Sequence, residues 1–388
     1  MADKSGIEWT EATWNPIAGC SVVSPGCTNC YAMRRVAPRL AANPATPHYA
    51  GTVTASKGGP VWTGHIGIAS DRVLMAPLRW TRPRMIFVNS TSDLFHPGVP
   101  DAVIDRVFAV MALCPQHTFQ VLTKRPERMR AYLSDAAVDR RIHELACDMV
   151  VDRELQVVVT HDRELEPQAP PGKRIYLDLW PLPNVWLGTS VEDQRRADER
   201  IPHLLQTLAA VRFISAEPLL GQIDLTVLRP APNGRLFGFE FLNALQGVWG
   251  RVPDNDDSDL LAGLSPTKRL RLDWVIAGGE SGTGARPMHP DWARSLRDQC
   301  VAAGVPFFFK QWGNWLPFYD RDRDDPDWRD VPRVDNQMGF GAERHLNLAG
   351  GCGFHGERLV AVRNVGKHAS GRLLDGLEHN GMPARAQA

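Results

Sequence analysis

Seven short apolar runs recur along the chain, and each is followed by polar or glycine-rich residues. The runs are Thr13 to Ile17, Met85 to Val88, Thr118 to Leu122, Val185 to Leu187, Val211 to Ile214, Trp274 to Ala277 and Val305 to Phe309. The stretches between them carry apolar residues at helical spacing. Nearly continuous apolar strands that alternate with helices predict an α/β fold with a parallel sheet, either a partial or full (β/α) barrel or an open doubly wound sheet.

Three of the intervening stretches predict amphipathic helices. Pro100 opens the first, and its apolar positions continue at helical spacing to Cys114. The second covers Ala197 to Leu208, and the third starts at Pro290 and carries Cys300. Because Cys114 and Cys300 fall on the apolar faces of their helices, we expect both to be core residues.

The composition excludes several classes of protein. The 388 residues include 44 Lys and Arg and 44 Asp and Glu, so the formal net charge is zero and binding of nucleic acid by bulk charge is excluded. A hydrophobic content of 43% is ordinary for a globular chain. The apolar runs are far shorter than the roughly 20 residues of a membrane span, and no apolar signal segment begins the chain. We expect a cytoplasmic protein without membrane contact.

Two segments interrupt the alternation of strands and helices. We expect a barrel domain over residues 1–315 with insertions at about 147–183 and 224–271, the first rich in proline near its end and the second in aspartate. Residues 316–388 are more polar, and we expect them to form an extension that packs on the barrel.

Polar or glycine residues follow most of the predicted strands. Right-handed crossovers bring the carboxyl ends of parallel strands to one rim, so in a barrel these residues converge on one mouth. They are Ser90, Ser92, Asp93, Lys124, Arg125, Ser190, Glu192, Glu217, Gly278, Gly279, Glu280 and Lys310. Ser90 or Ser190 alone is equally typical of a helix cap, and the glycine pair of a tight turn. A buried Glu217 needs a partner, which we expect to be Lys124 or Arg125.

Three of the seven cysteines, Cys20, Cys27 and Cys30, lie within eleven residues in a loop after the first strand. Three thiolates can hold an iron–sulfur cluster and leave one iron open to another ligand. A structural zinc site normally needs four ligands, and His48 and His65 are the nearest candidates for the fourth. The pair Cys27 and Cys30 alone is also compatible with an unliganded redox pair. Ligand count and position favour the cluster.

A cysteine triad after the first strand of a (β/α) barrel resembles the radical S-adenosylmethionine superfamily. The segment Cys27-Thr-Asn-Cys30-Tyr31-Ala32 is similar to that of its spore photoproduct lyase branch. The first gap here is six residues, where the superfamily usually has three.

A closer resemblance is to an uncharacterised, phage-associated family regarded as radical-S-adenosylmethionine-like, and it covers most of the chain. The matching segments are Trp14 to Pro16, Ser24 to Ala32, Val61 to Gly64, Phe87 to Ser90, Ser92 to Phe95, Leu122 to Pro126, Gly188 to Glu192, Ser215 to Leu219, Gly278 to Gly282 and Phe308 to Gly313.

The resemblance implies a [4Fe–4S] cluster on the three cysteines, S-adenosyl-L-methionine at the open iron and an external electron donor. The residues it implies for binding the cofactor are Ser90, Ser92 and Asp93 near the amino group, Ser190 and Glu192 near the ribose or carboxylate, and Gly278 and Gly279 where backbone approaches the ligand. Glu217, Lys124 and Glu280 are the candidate catalytic residues.

A nucleic acid or nucleotide-like substrate is expected from the charge of the mouth. Lys124, Arg125, Arg286 and Lys310 make it electropositive, and Trp312 is a candidate for stacking on a base, although aromatic residues at strand ends are more often packing residues. Another group of arginines is typical of a solvated face: Arg34, Arg35, Arg39, Arg79, Arg82 and Arg84.

Three functions follow, in decreasing order of support. The first is a radical S-adenosylmethionine enzyme that modifies or repairs nucleic acid or a nucleotide-like substrate. The second is a binding protein in which the cysteines hold zinc or a cluster only to stabilise the fold. The third is a cluster-free hydrolase that uses Glu217 or Glu280.

Overall fold

One seven-stranded parallel sheet forms the centre of the protein. The computed structural model describes residues 5–152, 157–160, 173–176, 180–230, 241–250, 270–321, 325–327, 329–353 and 358–384, and at 152, 157–160 and 173–176 only the backbone. The strands of the sheet are β1 (Ala12–Trp14), β2 (Met85–Val88), β3 (Thr118–Thr123), β4 (Val185–Ser190), β5 (Val211–Ala216), β6 (Trp274–Gly278) and β7 (Phe307–Gln311). The seven strand predictions are therefore confirmed, with differences only at the strand ends.

The strands lie in the order in which they occur in the chain, and each pairs in parallel with the next. Since crossovers between parallel strands are right-handed, an order that never reverses places the connecting helices on one face of the sheet. A doubly wound sheet requires a reversal, so that alternative is wrong. Among the described residues β1 and β7 do not pair, and the sheet is a half-barrel.

In the described part of the chain, five longer helices accompany the sheet: α1 (Asp101–Ala112), α2 (Pro126–Leu133), α3 (Val138–Asp152), α4 (Gln194–Leu205) and α5 (Pro290–Ala303). The predicted helices correspond to α1, α4 and α5. Cys114 and Cys300 are fully buried among apolar residues, which confirms them as core residues. Gly304 ends α5 in the left-handed conformation, where a residue without a Cβ atom is least strained.

The inner face of the half-barrel is filled with large side chains. It carries Met85, Phe87, Trp186, Phe213, Trp274, Ile276 and Phe308. Trp9, from the segment before β1, lies among them with its ring centroid 4.7 Å from that of Phe87 and 6.1 Å from that of Trp274. A Cβ atom at Gly188 would lie 2.6 Å from the ring of Phe213, so the glycine makes room for this packing. The packing closes the interior below the carboxyl ends of the strands.

Short elements connect the main ones. The short strands are Ile17–Ala18, Val53–Thr54, Val61–Trp62 and Gly67–Ile68, and the short helical segments are Pro25–Cys27, Ala32–Val36, Ala37–Ala41, Pro47–Tyr49, Asp71–Leu74, Ala76–Arg79 and Lys367–Ser370. In the two predicted insertions the structure shows a parallel pair, Val157–Thr160 with Lys173–Tyr176, and a hairpin, Phe241–Asn243 with Val248–Gly250. The proline-rich run at 167–172 and the aspartate-rich run at 254–259 lie outside the described residues.

The C-terminal part of the chain forms a three-stranded antiparallel sheet of Trp315–Tyr319, Glu343–Asn347 and Leu359–Asn364. Its last residues then return to the half-barrel. The backbone amide of Phe309 donates to the carbonyl of His379, and that of Gly381 donates to the carbonyl of Phe307, both at 2.9 Å. These bonds cover the open edge of β7, which would otherwise expose unpaired backbone groups. In the described part of the chain no helix is both long and apolar enough to span a membrane.

Candidate functional site

A cavity of about 250 Å³ lies at the carboxyl edge of the sheet, above the packed interior. Thirteen of the residues singled out from the sequence line it: Cys20, Cys27, Cys30, Ser90, Ser92, Asp93, Lys124, Arg125, Ser190, Glu217, Gly279, Glu280 and Lys310. Parallel strands explain this convergence, because each strand delivers the residues that follow it to the same rim.

Four of the singled-out residues, Glu192, Gly278, Arg286 and Trp312, lie outside this lining. The buried Trp312 packs its ring 5.1 Å from that of Phe309 and donates its indole N–H to the carbonyl of Leu373 at 2.8 Å. A Cβ atom at Gly279 would lie 1.9 Å from the carbonyl oxygen of Trp312. Glycine is therefore required at position 279 because the backbone of Trp312 packs against it, and not because a ligand approaches there.

The cysteine loop, residues 20–32, closes one side of the cavity. Cys27 ends a short 3₁₀ turn that Pro25 begins, and its amide donates to the carbonyl of Ser24 at 2.9 Å. Burial raises the pKa of Cys20 to about 12, with Asp93 adding to the rise and Arg125 opposing it, and burial also raises the pKa of Cys30. Both free thiols are therefore protonated at neutral pH, and a metal that binds them has to displace protons.

The carboxylate of Glu192 contacts the cysteine loop. The side chain is fully buried, and its Oε1 accepts a hydrogen bond from the amide of Gly26 at 3.1 Å. Its Oε2 lies 2.9 Å from Arg200 Nη1 and 3.6 Å from Lys124 Nζ. Burial would raise the pKa of Glu192, but Lys124 and Arg200 outweigh it and hold the pKa below its usual value. This predicted cofactor ligand thus connects the loop to the ends of β3 and β4.

Replacement of Gly26 is expected to loosen this contact. A Cβ atom there would lie 2.9 Å from Oε1 and 3.0 Å from Cδ of Glu192, which Arg200 prevents from moving away. We expect Gly26→Ala to lower the free energy of unfolding by about 1–3 kcal/mol, measured by denaturant titration. Gly221→Ala is the control, because its Cβ atom would meet Asp193 at an ordinary 3.6 Å. Equal stability of the two variants would contradict the assignment.

Glu280 and Arg286 form a second contact with the cysteine loop. The guanidinium of Arg286 donates from Nε and Nη2 to the two carboxylate oxygens of Glu280, at 2.8 and 2.6 Å. Glu280 also accepts from the amide side chain of Asn29 at 3.0 Å, and Arg286 donates to the carbonyl of Pro25 at 3.0 Å. The pair ties the loop to the end of β6.

Asp93 and Arg125 form a third contact, at the start of the loop. Asp93 accepts from the hydroxyl of Thr123, the amides of Phe95 and Lys124, and the guanidinium of Arg125, so both carboxylate oxygens are used. Arg125 donates to the hydroxyl of Ser21 at 2.8 Å, and its Nη1 lies 3.7 Å from the sulfur of Cys20. Asp93 therefore orients Arg125 against the loop.

Glu217 and Lys310 form a separate pair that faces the cavity. Lys310 Nζ lies 2.7 and 3.0 Å from the two oxygens of Glu217 and 3.9 Å from Oε2 of Glu8. The predicted partner of Glu217 was wrong, because Lys124 pairs with Glu192 and Arg125 with Asp93. Burial would lower the pKa of Lys310, but Glu217 and Glu8 outweigh it and raise the pKa. Lys310 is therefore held as an ammonium group against both oxygens of Glu217.

The hydroxyl groups of the cavity wall are only partly used. Ser90 donates to the side-chain oxygen of Asn15 at 3.1 Å, and Ser92 donates to the carbonyl of Ile17 at 2.8 Å. A hydroxyl that donates keeps its acceptor lone pairs, so both serines can accept from an amino group or a hydroxyl in the cavity. Ser90 is also hydrogen-bonded to the hydroxyl of Tyr31, which lines the same cavity.

Asn89, immediately after β2, is a cavity residue that the sequence analysis did not single out. Its backbone is left-handed, with φ 60°, and only 2% of its surface is exposed. Both the oxygen and the nitrogen of its side chain are buried without a hydrogen-bond partner in the described structure. A buried, unsatisfied amide costs free energy, and a ligand or an ordered water that completes its hydrogen bonds is one explanation for such a group. Asparagine tolerates left-handed backbone better than most residues. An asparagine directly after a predicted strand is therefore the sequence feature that could have identified this position.

The side chains that could bind a metal ion were compared with the requirements of a metal centre. Within the described residues no three Cys, His, Asp or Glu side chains are grouped so that they could hold one metal ion, and neither His48 nor His65 lines the cavity. The three carboxylates of the lining, Asp93, Glu217 and Glu280, are each bonded to a cation. Among the described lining residues, Cys20, Cys27 and Cys30 are metal donors that lie outside these ion pairs.

Comparisons with known proteins give a family but no function. Neither curated proteins nor solved structures give a match to this chain. One family model, described as a protein of unknown function, DUF5131, matches residues 4–383, which is nearly the whole chain. The chain therefore belongs to the DUF5131 family.

Proposed function

We propose that the protein is a radical S-adenosylmethionine enzyme of the cytoplasm, in which Cys20, Cys27 and Cys30 hold a [4Fe–4S] cluster. The observation that carries the proposal is that the three thiols line one cavity at the carboxyl edge of a half-barrel. The resemblance to the phage-associated radical-S-adenosylmethionine-like family supports the same assignment. The substrate is a nucleic acid or a nucleotide-like molecule, and an external donor supplies electrons.

The number of thiols in the cavity lining fits a cluster with one open iron. Three thiolates complete three irons of the cluster and leave the fourth open, which is the position that S-adenosylmethionine takes. The three thiols line one cavity, and the described residues include no group of three donors placed to hold a metal ion.

When bound, the cluster and S-adenosylmethionine supply a 5′-deoxyadenosyl radical by reductive cleavage of a carbon–sulfur bond. The chain supplies orientation and exclusion of water. Ser90, Ser92 and Asn89 offer hydrogen bonds to the amino, carboxylate or ribose groups of the cofactor. The aromatic layer that begins at Trp9 closes the cavity from below, and the salt bridges around the cysteine loop keep the thiols in place.

Asn89→Gly tests the proposal because glycine keeps the left-handed backbone and removes only the amide. We expect the variant to bind S-adenosylmethionine at least about tenfold more weakly, the effect of about 1.4 kcal/mol of lost hydrogen bonding. The measurement is calorimetric titration of the reconstituted protein, together with 5′-deoxyadenosine formation under anaerobic reducing conditions. Asn336→Gly is the matched control, since Asn336 also has left-handed backbone, at φ 53°, but lies outside the cavity.

Two results would overturn the proposal. Failure of the reconstituted wild-type protein to form 5′-deoxyadenosine while it retains iron would favour the alternative, a binding protein with a structural metal. Formation of product at the wild-type rate by a protein without cysteine ligands would exclude the cluster. The hydrolase alternative has less support, because both oxygens of Glu217 are bonded to Lys310 and those of Glu280 to Arg286.

A further inference from the structure

A groove of about 1380 Å³ leads from the surface to the cavity, which is about 250 Å³. The two share lining residues, among them Tyr31, Ser90, Glu217 and Lys310, so the groove opens directly into the cavity. Pockets for compact small molecules are about 300–1,000 Å³, and the groove exceeds that range. Its size suits an elongated ligand whose end enters the cavity.

The charge of the groove is positive although the chain as a whole is neutral. Its described lining includes five basic side chains, Arg34, Arg35, Arg39, Lys310 and Lys367, and one acidic side chain, Glu217. Glu217 is bonded to Lys310, and Lys367 lies 3.1 Å from Glu8. Within the described part of the chain Arg35 and Arg39 have no carboxylate within ion-pair distance. Their charge is available to an anionic ligand.

These arginines begin directly after the last cysteine. Tyr31, Arg35 and Arg39 follow one another at intervals of four residues on a continuous helical segment, and all three are exposed and line the groove. The spacing places them along one side of the groove, with the tyrosine at the end nearest the cavity. They are therefore arranged to follow a chain of negative charges toward the cysteine loop.

An exposed aromatic ring lies in the same groove. Phe340 is 85% exposed and stands between Gly339 and Gly341, both with left-handed backbone. Tyr31, at 47%, is the second exposed aromatic side chain of this lining. Aromatic rings interleaved with basic side chains along a groove are typical of binding to single-stranded nucleic acid, because bases stack on the rings while cations contact phosphates.

We propose that the groove binds single-stranded nucleic acid and presents one unstacked nucleotide to the cavity. A duplex is disfavoured, because a cavity of this size admits a base only after it leaves the stack. The presentation of a nucleotide for reaction rests on the proposed function, but the binding itself does not. Nucleic-acid binding is therefore tested separately from the cofactor.

The experiment is fluorescence anisotropy of a labelled single-stranded oligonucleotide with the full chain, both as purified and after anaerobic reconstitution with iron and sulfide. We expect Arg35→Glu with Arg39→Glu to weaken binding at least about tenfold and to lower its salt dependence, because phosphate contacts are lost. The control carries the same charge change at exposed arginines outside the groove, Arg72→Glu with Arg140→Glu, and is expected to bind as the wild type does.

A variant of the exposed aromatic ring and a duplex oligonucleotide provide two further tests. Phe340→Ala is expected to weaken binding about fivefold or more, the effect of one stacked base, and its exposed position means that the fold is retained. A duplex of the same sequence is expected to bind more weakly than the single strand. Equal binding by the groove variant and its control, or preference for the duplex, would overturn the proposal. Absence of nucleic-acid binding together with normal 5′-deoxyadenosine formation would overturn it and leave the proposed cofactor chemistry standing.

Discussion

Cys27→Ala is expected to abolish cluster binding. Cys27 is the least exposed of the three cysteine residues and lies in the turn that Glu192 and Arg286 contact. Loss of a residue that merely supports a metal ligand typically costs about 10–100-fold in metal affinity, so loss of a ligand costs more. Iron and sulfide per chain after anaerobic reconstitution are expected to fall to less than about a tenth of the wild-type values. Cys20→Ala and Cys30→Ala are expected to do the same.

Cys147→Ala is the matched control for these variants. Cys147 is a partly buried cysteine in α3, with its sulfur 3.4 Å from a ring nitrogen of His143, and it does not line the cavity. Its replacement should leave the iron content unchanged. Retention of wild-type iron by Cys27→Ala, with circular dichroism showing an intact fold, would mean that the triad does not bind the cluster.

Glu192→Gln is expected to destabilise the fold by about 3–5 kcal/mol. The carboxylate is fully buried, and its removal leaves the buried Arg200 and the partly buried Lys124 without their charge partner. Breaking one side of a buried ion pair costs more than the pair itself contributes, because the remaining charge is unsolvated. Urea titration followed by tryptophan fluorescence measures the loss.

Glu199→Gln provides the comparison, because it removes the same charge from a residue that is 41% exposed and pairs with the exposed Arg195. We expect it to cost less than about 1 kcal/mol.

The pKa of Glu192 is lowered in the fold, so the stability it contributes is present above about pH 4.3 and is lost as the pH falls through the folded pKa. The difference between wild type and Glu192→Gln should therefore shrink below about pH 4. A cost equal to that of Glu199→Gln would contradict the role of Glu192.

Much of the architecture could be predicted because local pattern determines it. Each strand of the sheet is a short apolar run, and α5 has both a proline near its start and a glycine at its end. The choice between a barrel and a doubly wound sheet depends on strand order, which no local pattern specifies. The pairing of β7 with residues after His379 depends likewise on contacts between distant parts of the chain.

The rim of the candidate site could be predicted, but the pairing within it could not. Parallel strands bring every carboxyl end to one place, and this accounts for the thirteen predicted residues that line the cavity. The partner of each charged residue depends on contacts such as that between Asn29 and Glu280, which are 251 residues apart in the chain. Glu217 was therefore assigned the wrong partner, and Glu192 and Glu280, expected at a ligand, contact the cysteine loop.

The most direct test of the central claim is electron paramagnetic resonance of the anaerobically reconstituted and reduced protein, recorded with and without S-adenosylmethionine. We predict a four-iron cluster signal that changes when S-adenosylmethionine is added, because a cluster held by only Cys20, Cys27 and Cys30 would leave one iron open to it. Stoichiometric zinc, or a cluster signal that is the same with and without S-adenosylmethionine, would contradict the account.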